Sequence, residues 1–173
     1  LIECSGVLHH MASPETGLQS LIEQLKPGGY IMLGLYSELA RQDIVKARDT
    51  IRGLNIPSTV ESIRDFRQKI FTTQIKGLSA LYKRRDFYTI STCRDLCFHV
   101  QEHRFTTESL QRLLNRQGLI FCGFMISESI RKAYNEQFPD DTDMTSLEYW
   151  ARFEQQHPNT FRNMYQFWVY KPA

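Results

Sequence analysis

Read for hydrophobic period, the chain opens on a strand, loop, helix, turn and second strand. Ile2 and Cys4, followed by the small Ser5-Gly6 pair, suit a short buried strand whose carboxyl end meets a loop where backbone can approach a ligand closely. Ser13, Pro14 and Glu15 then supply an N-cap, a first-turn proline and a charge that favours the helix dipole. Leu18, Leu21, Ile22 and Leu25 recur at helical spacing and form one apolar stripe. Pro27-Gly28-Gly29 stops the helix and reverses the chain. Tyr30 to Tyr36 is almost continuously apolar, the pattern of a strand covered on both faces.

Further along, Ser37 predicts a cap for a helix from about Glu38 to Arg52, with Ala40, Ile44, Ala47 and Ile51 inward and Gly53 as its stop. Ser58-Thr59-Val60-Glu61 reads as a capping box for a helix whose inner face is Ile63, Phe66 and Ile70. From Thr72 to His103 no clean period survives, beyond one short helix near Arg94; Lys83-Arg84-Arg85 reads as a solvated turn. Order returns at Thr106, which caps a helix to about Arg116, with Phe105 stapled onto Leu110 and Gly118 at the end. Leu119 to Ile126 reads as a buried strand and Met164 to Tyr170 as the last one. The long excursion between them holds a helix from Glu128 to Gln137 and a loop at Phe138 to Asp143. A second box, Thr145-Ser146-Leu147-Glu148, then opens a helix bearing Leu147, Trp150, Ala151 and Phe153.

Composition narrows the class without identifying it. With 173 residues, 42% of them hydrophobic and 23% charged, the chain has the length and make-up of one soluble domain with a sizeable core. A formal net charge of +2 exerts no strong pull toward nucleic acid or an anionic membrane, so neither is expected as a partner. Cys4, Cys93, Cys97 and Cys122 show no paired C-x-x-C spacing, which favours reduced, mostly buried thiols and a cytoplasmic setting. No apolar run approaches the roughly 18 to 20 residues that span a bilayer. The sequence starts without a methionine, inside what reads as a strand, and this suggests the downstream part of a doubly wound α/β domain.

The block Gly6-Val7-Leu8-His9-His10-Met11 after one strand, paired with Leu25-Lys26-Pro27-Gly28-Gly29 before the next, resembles the carboxyl-terminal half of a class I S-adenosylmethionine-dependent methyltransferase. Gly34-Leu35-Tyr36-Ser37, Arg94 to His103 and Met164-Tyr165-Gln166-Phe167-Trp168 are similar to bacterial methyltransferases of the kind sometimes fused to tetratricopeptide repeats. The resemblance covers nearly the whole chain. It implies an α/β fold, the C-terminal part of a Rossmann-like methyltransferase sheet with helical insertions and an antiparallel closing strand pair. Residues 1 to 173 would be a partial methyltransferase domain and 38 to 104 a helical insertion on the substrate side. The implied partners are an unidentified methyl acceptor and a tetratricopeptide-repeat region of the same parent chain; no oligomeric state follows. In the family, a glycine-rich loop after the first strand and an acidic residue after the second hold the methionine and ribose parts of the cofactor. Neither lies in this sequence, and no G-x-G-x-x-G occurs among its nine glycines, so this chain alone is expected to bind S-adenosylmethionine weakly or not at all.

The same resemblance assigns Cys4, Ser5, Gly6 and Val7 to the cofactor, mainly through backbone and close packing; a plain strand-to-helix connection is the bland alternative. His9 and His10 are adjacent and point in different directions, so one at most faces the pocket. The reading places His10 there, against cofactor and acceptor, and gives His9 a structural hydrogen bond. Tyr36 and Arg41 lie just past a strand's carboxyl end, where substrate contacts accumulate in open α/β sheets. His99, Glu102 and His103 spell H-x-x-E-H, but a metal site needs them on one helix face, and Phe105-Thr106 marks a helix starting only afterwards. No metal is therefore expected. These three become candidates for a pocket wall, with His99 and His103 beside His10 as candidate bases. Asp140, Asp141 and Asp143 lack the spacing of a calcium loop and read as a solvated acidic loop. Lys83-Arg84-Arg85 beside Tyr82, Phe87 and Tyr88 has the make-up of a nucleic-acid contact, a reading set aside for the near-neutral charge. Two other functions compete with methyl transfer: a non-catalytic α/β interaction module and a metallohydrolase.

Overall fold

Four strands share one sheet in the spatial order β1-β2-β4-β3, in a computed structural model that describes residues 1 to 99 and 101 to 173. The strands are β1 (Ile2–Ser5), β2 (Tyr30–Leu35), β3 (Ile120–Phe124) and β4 (Tyr165–Tyr170). β1 and β2 run parallel with Ser5 opposite Gly34, β4 lies antiparallel to β2 with Tyr165 opposite Leu35, and β3 closes the edge antiparallel to β4. The sheet is mixed and open, with helices α1 (Pro14–Gln24), α5 (Thr107–Arg116), α6 (Glu128–Gln137) and α7 (Leu147–Gln156) in the same unit. This unit comprises Leu1–Ala40 and Gln101–Ala173, and its core gathers Leu18, Ile31, Leu33, Leu35, Leu110, Leu114, Trp150, Phe153, Tyr165 and Phe167. Alternate β2 residues Ile31, Leu33 and Leu35 enter it from one face, as the two-residue period of a strand requires. No helix among the described residues is long and apolar enough to cross a membrane.

The second unit, Arg41–Val100, has a core of its own. Ile44, Ala47 and Ile51 of α2 (Gln42–Gly53), Ile63, Phe66 and Ile70 of α3 (Val60–Phe71), and Cys93, Leu96 and Cys97 of α4 (Ile90–Cys97) pack with Leu78, Leu81 and Phe87. Thr59 and Thr89 cap α3 and α4 by accepting from the amides three residues on.

Several local expectations shift. Ser37 caps only a tight turn, accepting from the Ala40 amide, and α2 starts at Gln42 instead of Glu38. Gly53 closes that helix without a left-handed φ, which falls on Asn55 at 49°. The cap of α3 is Thr59, one residue past the expected Ser58, and that of α7 is Ser146, one past Thr145. In the second case the reason is visible: Asp141 accepts from the amides of Thr145 and Ser146 and from the Tyr134 hydroxyl, so the residues before the helix are already tied down. That carboxylate is a structural clasp, and Asp141 is no member of a merely solvated loop.

Lys83 and Arg85 are exposed, but Arg84 is buried, its guanidinium bonded bidentately to Asp43 through Nε at 2.8 Å and Nη2 at 2.7 Å. The expected solvated turn therefore holds one internal ion pair. β3 is an edge strand exposing Ile120, not a fully buried one, and its register with β4 slips between Phe121 and Gly123. Gly123 takes a φ of 122° there, as a bulge permits. Of the four cysteines only Cys93 and Cys97 are buried; Cys4 is half-buried and Cys122 exposed.

Candidate functional site

The parallel β1–β2 pair ends at a glycine. Gly6 has a φ of 77° and donates its amide to the Gly34 carbonyl, extending the ladder by one bond before the chain turns away. A Cβ at Gly6 would meet nothing within 4 Å, so the backbone there faces open space. The next residues wind into a 3-10 turn, Leu8–His10. Two further glycines let that turn and the strand below it sit where they do. A Cβ on Gly17 of α1 would lie 2.5 Å from the Met11 sulfur and 2.9 Å from Leu8 Cδ2. On Gly34 it would lie 2.2 Å from Ser5 Oγ and 2.9 Å from Ser5 Cα. Ser5 uses that space to donate to the Met164 sulfur at 3.3 Å. Gly34→Ala is accordingly expected to cost about 1–3 kcal/mol through overpacking at the end of β1, read as a lower urea midpoint with an unchanged slope.

Above the strand ends three rings meet. The His9 ring centroid lies 3.7 Å from that of Tyr36 and 4.4 Å from that of His10. His9 is buried, and its main-chain carbonyl accepts from the His103 amide at 2.8 Å. His10 Nδ1 lies 3.1 Å from the Gln101 carbonyl. A carbonyl only accepts, so Nδ1 carries the proton, and in the neutral ring Nε2 holds the lone pair. The Gln101 amide reaches both the Met11 carbonyl and His103 Nε2 at 3.2 Å. Four residues after Gln101, Phe105 donates to the Tyr36 carbonyl and accepts from the Glu38 amide, both at 2.8 Å. The stretch Gln101 to Phe105 thus straps the 3-10 turn to the segment after β2. These bonds make Glu38 and Gln101 to Arg104 part of the sheet unit, although the expected insertion ran from 38 to 104.

Beneath the strap lies a buried carboxyl group. Glu154 accepts from the Ser37 hydroxyl on one oxygen and from the Tyr165 hydroxyl at 2.5 Å on the other. Burial pushes the Glu154 carboxyl above its usual range, outweighing the two hydrogen bonds that favour the charge, and burial also pushes the Tyr165 phenol upward. A carboxyl whose folded pKa is raised binds its proton more tightly in the native state. Its contribution is therefore most favourable below the ordinary carboxylate pKa and is lost as pH rises toward the shifted value. The stability advantage of wild type over Glu154→Gln, followed by unfolding free energies across that window, is expected to shrink as pH rises; a constant difference would contradict this.

Of the residues singled out from sequence, Cys4, Ser5, Gly6, Val7, His10, Tyr36, Glu102 and His103 lie in the sheet unit, the last four of them within the ring cluster and its strap. Val7 is exposed, Cys4 half-buried with its thiol pushed up by burial, and the Glu102 side chain buried 3.7 Å from Arg104. Arg41 and His99 belong to the helical unit instead. Arg41 is buried near Cys97, not a surface charge, and the His99 carbonyl accepts from Arg48. α4 ends at Cys97, so His99, Glu102 and His103 share no helix face. No group of three His, Cys, Asp or Glu among the described residues is placed to hold a metal ion. Sequence reasoning missed Gly17, Gly34, Gln101 and Glu154. Gly34 signalled itself as a lone glycine in an apolar strand, and Glu154 as a charge on the apolar Leu147, Trp150 stripe.

No family model matches the chain. An uncharacterized protein of Synechococcus sp. is 33% identical over 135 residues, covering 71% of this chain and 31% of that protein. Among solved structures, PKMT2 from Rickettsia typhi superposes with a TM-score of 0.65 at 13% identity, over 96% of this chain and 34% of that one. The chain spans about a third of the length of both. At that identity the likeness shows the fold alone, an open mixed sheet with flanking helices.

Proposed function

We propose that this chain supplies the β1–β2 rim of an S-adenosylmethionine-dependent methyltransferase. The observation that carries the reading is the open backbone at Gly6, at the carboxyl end of a parallel strand and beside the His9, His10 and Tyr36 rings. Ligands in open α/β sheets collect at strand carboxyl ends, and a glycine with open space above it suits close approach of an adenosyl group. The fold likeness to PKMT2, a protein lysine methyltransferase, supports this reading, and an amine on a polypeptide is the acceptor we favour. The cofactor supplies an electrophilic methyl on a sulfonium. The chain's own part is to hold the acceptor in line and exclude water. Cys4, Ser5, Gly6 and Val7 line the cofactor side. His10 Nε2 takes the proton that an ammonium must lose before it attacks, with Nδ1 held by the Gln101 carbonyl and His103 held by the Gln101 amide. Tyr36 completes the wall on the acceptor side.

The reading is tested by titrating S-adenosylhomocysteine into isotope-labelled chain and following amide resonances. Weak, millimolar binding is expected, with shifts confined to Ser5 to Met11, Tyr36 and Gln101 to His103. Shifts elsewhere, or none in that group at millimolar ligand, would overturn it.

A further inference from the structure

Charge is segregated between the two units. Residues 41 to 100 carry twelve Lys and Arg against six Asp and Glu, a formal +6, whereas the remaining residues carry nine against thirteen, a formal −4. The total of +2 conceals both. Within the helical unit, half of the carboxylates are already engaged: Asp43 with Arg84, Asp49 with Arg52 at 3.3 Å and Asp65 with Lys69 at 2.6 Å. Arg64, Lys76, Lys83 and Arg85 are exposed and make no ion pair among the described residues.

Exposed aromatic surface accompanies this charge. Phe71 is 41% and Tyr88 51% exposed. The Phe71 ring stacks on Tyr82 at 5.5 Å and 17°, meets Phe87 and Tyr88, and carries the Arg67 guanidinium 6.0 Å from its centre. Arg67 also donates to the Tyr88 carbonyl, and the Tyr88 hydroxyl to the Tyr82 carbonyl at 2.9 Å. Arg64 lies two turns before Phe71 on the same face of α3, while Lys83 and Arg85 flank the buried Arg84 between Tyr82 and Tyr88.

A cationic, half-apolar face of this kind suits a partner carrying carboxylates and apolar side chains together. Single-stranded nucleic acid needs aromatic faces on which bases stack, and here the rings are turned upon one another and upon Arg67. We propose that this face of the helical unit docks an acidic polypeptide segment, with its carboxylates against Arg64, Lys83 and Arg85 and its apolar side chains against Phe71 and Tyr88. The inference goes beyond methyl transfer and does not require it, since docking is scored with no cofactor present.

The test is fluorescence anisotropy on the full chain with a labelled peptide of Glu and Leu, a matching peptide of Lys and Leu, labelled oligothymidylate, and vesicles containing phosphatidylserine. The acidic peptide is expected to bind best, and to weaken as salt rises. The double variant Lys83→Glu, Arg85→Glu should weaken it at least about tenfold by reversing two charges at the contact, and Tyr88→Ala several-fold, with unchanged circular-dichroism melts. Arg64→Glu serves as a second charge variant and should weaken binding in the same direction. Equal binding of the acidic and basic peptides, an unchanged affinity in the folded charge variants, or tighter binding of oligothymidylate or vesicles would overturn the proposal.

Discussion

Replacing Trp150 with alanine is expected to destabilise the sheet unit by about 4 kcal/mol, with a fall of about 10 °C or more in its melting temperature. The indole is fully buried where the helical excursion before β4 meets the sheet. It stacks on Tyr134 at 4.0 Å and meets Phe124, Phe153 and Phe161 edge-on at between 5.3 and 5.6 Å. Truncation removes the largest side chain of this aromatic cluster and leaves a cavity that four surrounding rings, each fixed by further contacts, can fill only in part. A second loss is polar. The indole N–H donates to the Met144 carbonyl at 2.8 Å, and Met144 itself sits at a φ of 54°, so this bond helps to hold an unfavourable backbone turn. Trp150→Phe should separate the two terms, keeping most of the ring packing while giving up the hydrogen bond, at a cost nearer 1–2 kcal/mol. A calorimetric scan in which the alanine variant melted within a degree or two of the wild type would show that the cluster does not carry the unit.

The second large effect belongs to the helical unit. Asp43→Ala is expected to cost about 3–5 kcal/mol, because it leaves the Arg84 guanidinium, only 7% exposed, without its bidentate partner. Asp43 also accepts from the Ile44 amide in the first turn of α2, so part of the loss is a helix-start hydrogen bond. The double replacement Asp43→Leu, Arg84→Met removes both charges and should be markedly milder than the single alanine. Chemical unfolding followed by far-ultraviolet circular dichroism reads both. A double variant no more stable than the single one would mean that the pair itself, and not a stranded charge, supports the three-helix core.

Much of the local architecture was legible because it rests on short-range physics. Ser13 and Thr106 each accept from an amide three residues ahead, and such bonds are written into neighbouring residue types. The stripes Ile44, Ala47, Ile51 and Ile63, Phe66, Ile70 follow from helical period, and both are buried. Where two adjacent hydroxyls compete for one cap, as at Ser58 and Thr59, local chemistry does not choose between them. Arg84 misled for another reason: its partner lies 41 residues away, and in a basic run nothing marks which guanidinium turns inward. The strap from Gln101 to Phe105 carries no helical or strand period at all, since its bonds go to His9, Met11, Tyr36 and Glu38.

The sequence by itself therefore determined which strands and most helices form, to within a few residues at their starts, which of their faces are apolar, and that a glycine-ended strand leads into a two-histidine loop. Only the tertiary structure decided that β4 lies between β2 and β3, that His10 is held by a carbonyl 91 residues on, and that Ser37 shares a buried carboxyl group with Tyr165 through a glutamate 117 residues away. Caps and periodicity are settled within a turn or two of chain. A buried polar group must instead find whatever partner the packed core brings to it, at any distance along the sequence.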